Sequence, residues 1–197
     1  TTDAGGNATL KSVTTTGAQS YGDSTVTLNG TYTTTNSAFS ISGNTVLGGN
    51  TVVTTGSGAV TFTGAVDGTK GLTVNSTGAT SFVAVVGGST SLSTLTTDAA
   101  GTLVLNGVNT TGAQTYNETG SVSLNGSFNT NDTAFTINGP ATLTGATTIN
   151  AGAGSITFTS TVDGTFGLTA NSTGLTTFNT TVGGSPGLTS LTTDAGG

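Results

Sequence analysis

The chain has 197 residues, of which 33 are Gly and 51 Thr, only 5 % are charged, and the formal net charge is −6. Its two basic residues, Lys11 and Lys70, cannot neutralise a phosphate backbone or an anionic lipid surface, so neither is an expected partner, and no apolar run approaches the roughly 20 residues a membrane helix needs, so membrane insertion is not expected. With no His and no Cys, a zinc site, a thiol nucleophile and a Ser-His-Asp triad are excluded, and no cofactor or catalysis is expected.

The elements repeat in chain order. Thr1 opens a copy with TTDAGG, Thr96 opens a second with TTDAAG, and Thr192 starts a third with TTDAGG. The organisation read from this is residues 1–95, residues 96–191 and the start of a third copy at 192–197, so the chain reads as an excerpt of a longer array. TTGAQSY (Thr15–Tyr21) returns as TTGAQTY (Thr110–Tyr116), and VDGTKGLTVNSTG (Val66–Gly78) as VDGTFGLTANSTG (Val162–Gly174). The offset grows from 95 to 96 because YGDSTV (Tyr21–Val26) became YNETGSV (Tyr116–Val122).

Short alternating apolar/hydroxyl segments bounded by Gly, Asn or Asp predict strands. In the first copy these are Thr25–Gly30, Ala38–Gly43, Ala59–Gly64 and Gly71–Ser76. In the second they are Thr102–Gly107, Ser121–Gly126, Ala134–Gly139, Ala141–Gly145, Thr147–Gly152, Ser155–Ser160, Gly167–Ser172, Leu175–Thr180 and Gly187–Thr192. No stretch keeps helical apolar spacing. Two all-β architectures use such strands: a β-solenoid, and tandem immunoglobulin-like β-sandwiches. VLNG at Val104 and SLNG at Ser123 begin 19 residues apart, about one solenoid coil, and no Trp is present to fill a sandwich core. The solenoid is therefore the expected fold, with five coils of about 19 residues per copy and a rise of about 4.8 Å per coil.

The TTDAGG, TTGAQ-Y, VDGT–GLT-NSTG and VGG blocks resemble the Thr/Gly-rich repeats of filamentous-haemagglutinin-like bacterial surface adhesins. That resemblance implies a right-handed parallel β-helix in a structural or adhesive segment of a long extracellular filament at the bacterial cell surface. Its implied partners are neighbouring repeats or copies of itself end to end, and host or biofilm surface glycans.

Candidate sites are few. Asp3, Asp98 and Asp194 recur at the repeat mark, and Asp67 and Asp163 precede Gly; D-G and D-A-G read as turns in which Asp bonds its own backbone. N-x-S/T sequons are frequent, and Asn75 and Asn171, at matching positions, are the glycosylation candidates. T-x-T pairs such as Thr25/Thr27 and Thr157/Thr159 raise the alternative of an ice-binding or carbohydrate-binding solenoid module, but ice binding needs one Thr rank on every rung and the pairs are scattered.

Overall fold

The computed structural model describes residues 1–98 and 100–194; residues 195–197, part of the third copy, lie outside them. Among the described residues the chain is all-β, with no helix. The first copy contributes β1 (Asn7–Thr14), β2 (Gln19–Tyr21), β3 (Thr25–Thr33), β4 (Phe39–Ile41), β5 (Asn44–Gly56), β6 (Val60–Phe62), β7 (Val66–Asp67), β8 (Leu72–Ser76) and β9 (Ala79–Phe82). Strand β10 (Leu95–Thr97) crosses the repeat boundary. The second copy contributes β11 (Thr102–Asn109), β12 (Gln114–Tyr116), β13 (Val122–Asn129), β14 (Phe135–Ile137), β15 (Ala141–Gly152), β16 (Ile156–Phe158), β17 (Val162–Gly164), β18 (Gly167–Ser172), β19 (Thr176–Phe178) and β20 (Ser190–Thr193).

Every strand pairing is parallel and joins strands one coil apart, and strands inside the stack pair on both sides. A sandwich would pair antiparallel neighbours, so the fold is the β-solenoid, of about nine turns, or roughly 43 Å at about 4.8 Å per rung. The three-residue strands bury their outer two side chains and turn the middle one outward. The period of two therefore places Val, Leu, Ile and Phe inside and Thr or Ser outside.

The coils are longer and less even than five of 19 residues, running from 18 (Ala8 to Val26) to 23 (Leu72 to Leu95). Each coil passes three inward stacks. Ala8, Val26, Thr45, Val66, Val86 and Val108 form one. Gln19, Phe39, Val60, Thr80 and Leu103 form another. Val13, Tyr32, Val53, Val74 and Thr97 form the third. Five coils from Ala8 end at Val108, yet the sequence counterpart of Ala8 is Leu103, five residues earlier and on the second stack. One repeat is thus about four and two-thirds coils, and successive copies sit one face apart around the axis. The sequence period had suggested a whole number of coils; the loops that lengthen some coils shift the phase.

Several strands escaped the sequence reading. Strands β2 and β12 carry an inward Gln, Gln19 and Gln114, which breaks the apolar alternation. The paired Gly48 and Gly49 lie within the span of β5, where its register against β3 shifts between Leu47 and Thr51. Strands β7 and β17 contain Asp67 and Asp163, expected in turns. Ala141–Gly145 and Thr147–Gly152 are one continuous strand, β15.

Inside, the aromatic residues form matching chains in the two copies. Tyr21–Phe39 and Tyr116–Phe135 meet edge to face at 5.7 and 5.8 Å, while Phe62–Phe82 and Phe158–Phe178 stack at 5.1 and 5.2 Å. Gln114 is fully buried; its Nε2 donates to the Val108 and Asn129 carbonyls at 3.1 and 3.0 Å, and its Oε1 accepts from the Tyr116 hydroxyl at 3.0 Å. Gln19 repeats these bonds to Val13, Thr33 and Tyr21. The Thr33 and Asn129 carbonyls already accept from the Thr15 and Thr110 amides at 2.9 Å, so the Gln amide is a second donor there, and these bonds satisfy the buried Gln side chain itself, which explains the TTGAQ-Y motif.

The stacking leaves no room at some corners. A Cβ on Gly139 would overlap the Glu118 carbonyl oxygen of the preceding coil, whereas a Cβ on Gly17 meets nothing within 4 Å. Gly139→Ala is expected to destabilise the chain by about 1–3 kcal/mol, and Gly17→Ala to change stability by less than about 1 kcal/mol. Urea unfolding of the two variants measures this, and equal midpoints would contradict the rung-on-rung contact.

Candidate functional site

The acidic residues are placed by stacking. Asp67 Oδ1 accepts from the Ser89 and Thr90 amides, both at 2.9 Å, and Asp163 Oδ1 from the Ser185 amide at 3.0 Å. These carboxylates pin the loop one coil later and do not close their own turn, as the sequence had suggested. Thr2 donates its hydroxyl to Asp23. In the second copy Thr97 and Glu118 occupy the matching positions. Among the described residues no three His, Cys, Asp or Glu side chains converge.

Glu118 is 2 % exposed, and its Oε2 has no hydrogen-bond partner. Burial pushes its carboxyl up to about 7; the Thr97 hydroxyl and Glu118's own amide offset part of the rise, and the Asp98 charge adds to it. Asp98 is also raised, chiefly by burial. Such a carboxyl keeps a proton in the fold that the unfolded chain releases near 4.5. The stabilisation is therefore complete below about 4.5 and is lost as the pH rises through about 7. Wild-type urea midpoints are expected to fall over this window, and Glu118→Gln to remove most of the slope, leaving a remainder of the same sign from Asp98. A wild-type profile that rises over the window would contradict the burial argument.

The glycosylation candidates both lie in strands, not in the surface loops an acceptor site calls for. Asn75 is in β8 opposite Thr54, and Asn171 is in β18 opposite Asn150. Asn171 Nδ2 donates to Asn150 Oδ1 at 2.8 Å. Tyr21, Tyr32 and Tyr116 are all buried, so none offers a ring to a ligand.

Asn171 ends an asparagine ladder. Asn150 donates to Asn129 at 2.7 Å, Asn129 donates to Asn109, and Asn109 donates to the Gly87 carbonyl at 3.3 Å. The side chains emerge where β11, β13 and β15 end, and they floor an open groove of about 550 Å³. The loop Gly87–Ser91 of the first copy walls one end, and Asn131 and Asp132 of the second copy line it as well. The groove therefore spans a repeat junction. Its loop is held by Asp67, as above, and Asp132 Oδ1 accepts from the Ala153 amide at 2.9 Å. Asn131 and Asp132 both have positive φ, 48° and 66°, an uncommon conformation for two consecutive non-Gly residues. Periodicity alone could not find this groove, because its residues lie up to 65 positions apart, from Gly87 to Gly152.

Comparison with protein-family models, curated proteins and solved structures returns no match.

Proposed function

We propose that the chain is a structural and adhesive segment of a long extracellular filament on a bacterial surface, acting without catalysis. The observation that carries this reading is the continuity of all three stacks through the repeat boundary, where β10 pairs with β8 of one copy and β12 of the next. A chain that meets its own next copy with the same ladder as within a copy builds a rod of any length. Neighbouring repeats or further copies of the chain are the partners in this reading, with host or biofilm glycans as the surface ligands.

Arrays of two and four segments, joined so that Asn7 follows Gly197, test the structural part. Electron microscopy is expected to show unbroken rods that lengthen in proportion to segment number, and beads on a flexible string would overturn it. Beads coated with the chain test the adhesive part; retention on a biofilm surface no better than that of uncoated beads would remove it.

A second reading, ice binding, gains support from a different face. Thr73, Thr96, Thr115, Thr136, Thr157 and Thr177 lie opposite one another on six successive rungs. The scattered T-x-T pairs concealed this rank, which joins the end of one copy to the strands of the next. A rank that orders water in this way is expected to produce thermal hysteresis, weakened by Thr115→Leu and Thr136→Leu. Absence of hysteresis in the wild-type chain would end this reading.

A further inference from the structure

Within the adhesive reading, we propose that the junction groove is a binding site for a neutral, linear glycan lying along the solenoid axis. The two copies supply the first argument. Four groove residues, Asn109, Asn129, Asn131 and Asn150, stand where the first copy has Thr14, Thr33, Thr35 and Thr54. All four differences run from hydroxyl to amide, and all four fall on one groove. The inward stacks need none of them, since the first copy folds into the same coils with Thr.

The chemistry of the amides supplies the second argument. A primary amide has two N–H donors and two acceptor lone pairs. In the ladder, Asn129 and Asn150 each spend one donor and one acceptor on their neighbours, Asn150 accepting from Asn171. The remaining donor and acceptor on each rung are available to the groove, repeating every rung at about 4.8 Å. A row of paired donors and acceptors at this spacing suits a chain of hydroxyl-bearing rings, each of which offers both functions.

Charge and shape narrow the class. Among the described residues Asp132 is the only ionisable one lining the groove, and the chain carries −6 overall, so uronic, sialylated and sulfated glycans are repelled. The free Asp132 oxygen accepts from a sugar hydroxyl. Among the described residues no aromatic side chain lines the groove, so a single junction binds weakly and avidity comes from repetition. In a longer array a groove forms only at a junction that leads into a copy carrying these four Asn residues, so avidity grows with the number of such copies.

The test is a glycan array of neutral and acidic oligosaccharides probed with the 197-residue chain and with a quadruple variant, Asn109→Thr, Asn129→Thr, Asn131→Thr and Asn150→Thr. Those Thr residues already occupy the matching places in the first copy, and an unchanged melting temperature confirms the fold. The wild-type chain is expected to bind neutral linear glycans, with at least tenfold weaker binding in the quadruple variant. Asp132→Asn, which copies Asn36, is expected to weaken binding about threefold without changing the melting temperature. Equal binding by wild type and quadruple variant would overturn the groove as the site while leaving adhesion intact, and preference for acidic glycans would overturn the ligand class. No binding to any glycan would overturn the proposal, and retention of the coated beads decides separately whether the adhesive reading falls with it.

Discussion

The structure depends on one constraint: each coil must offer its backbone N–H and C=O groups to the coils above and below, in register. Parallel ladders need every rung to present an inward side chain that fits the one beneath it. This explains why Tyr116, Phe135, Phe158 and Phe178 follow the geometry of Tyr21, Phe39, Phe62 and Phe82 so closely. It also explains why the one-residue insertion between the copies falls at Gly120, in the bend between β12 and β13, where no ladder is interrupted. Lengths vary at corners and in loops, and the stacks stay aligned.

Polar groups inside the coil obey the same constraint. Gln19 and Gln114 are buried, and each satisfies its own amide on backbone carbonyls and a Tyr hydroxyl of the coil. Glu118 departs from this economy, because one of its carboxyl oxygens is buried without a partner. Its copy-one counterpart, Asp23, accepts from Thr2. The side chain that is longer by one methylene occupies the same stack position less comfortably, and protonation relieves it.

Much of the fold was legible in the sequence. Apolar alternation located β3, β13 and β16, and the repeat period gave the continuity of the array. The strands that were missed show why the rest was hidden. Gln114 reads as polar, yet it is buried because it serves backbone carbonyls that no sequence pattern marks. Asp67 and Asp163 read as turn formers, yet they hold loops 22 residues away. The groove residues were individually visible as a loss of Thr and a gain of Asn, but nothing in the one-dimensional alignment shows that Gly87, Asn109, Asn129 and Asn150 are neighbours.

The sequence by itself determined an all-β chain of short alternating strands with Gly and Asn corners and made the stacked solenoid the expected architecture, while the parallel pairing of the strands decided it against tandem sandwiches. It also determined the near absence of titratable chemistry, because residues that are not present cannot converge. Only the tertiary structure decided the phase. Coils of 18 to 23 residues do not divide a repeat of 95 or 96 evenly, so each copy begins one face away from the last. That offset places the first copy's loop against the second copy's asparagines and aligns threonines from both copies into one rank. Sequence sets which residues recur; the coil length sets which of them meet.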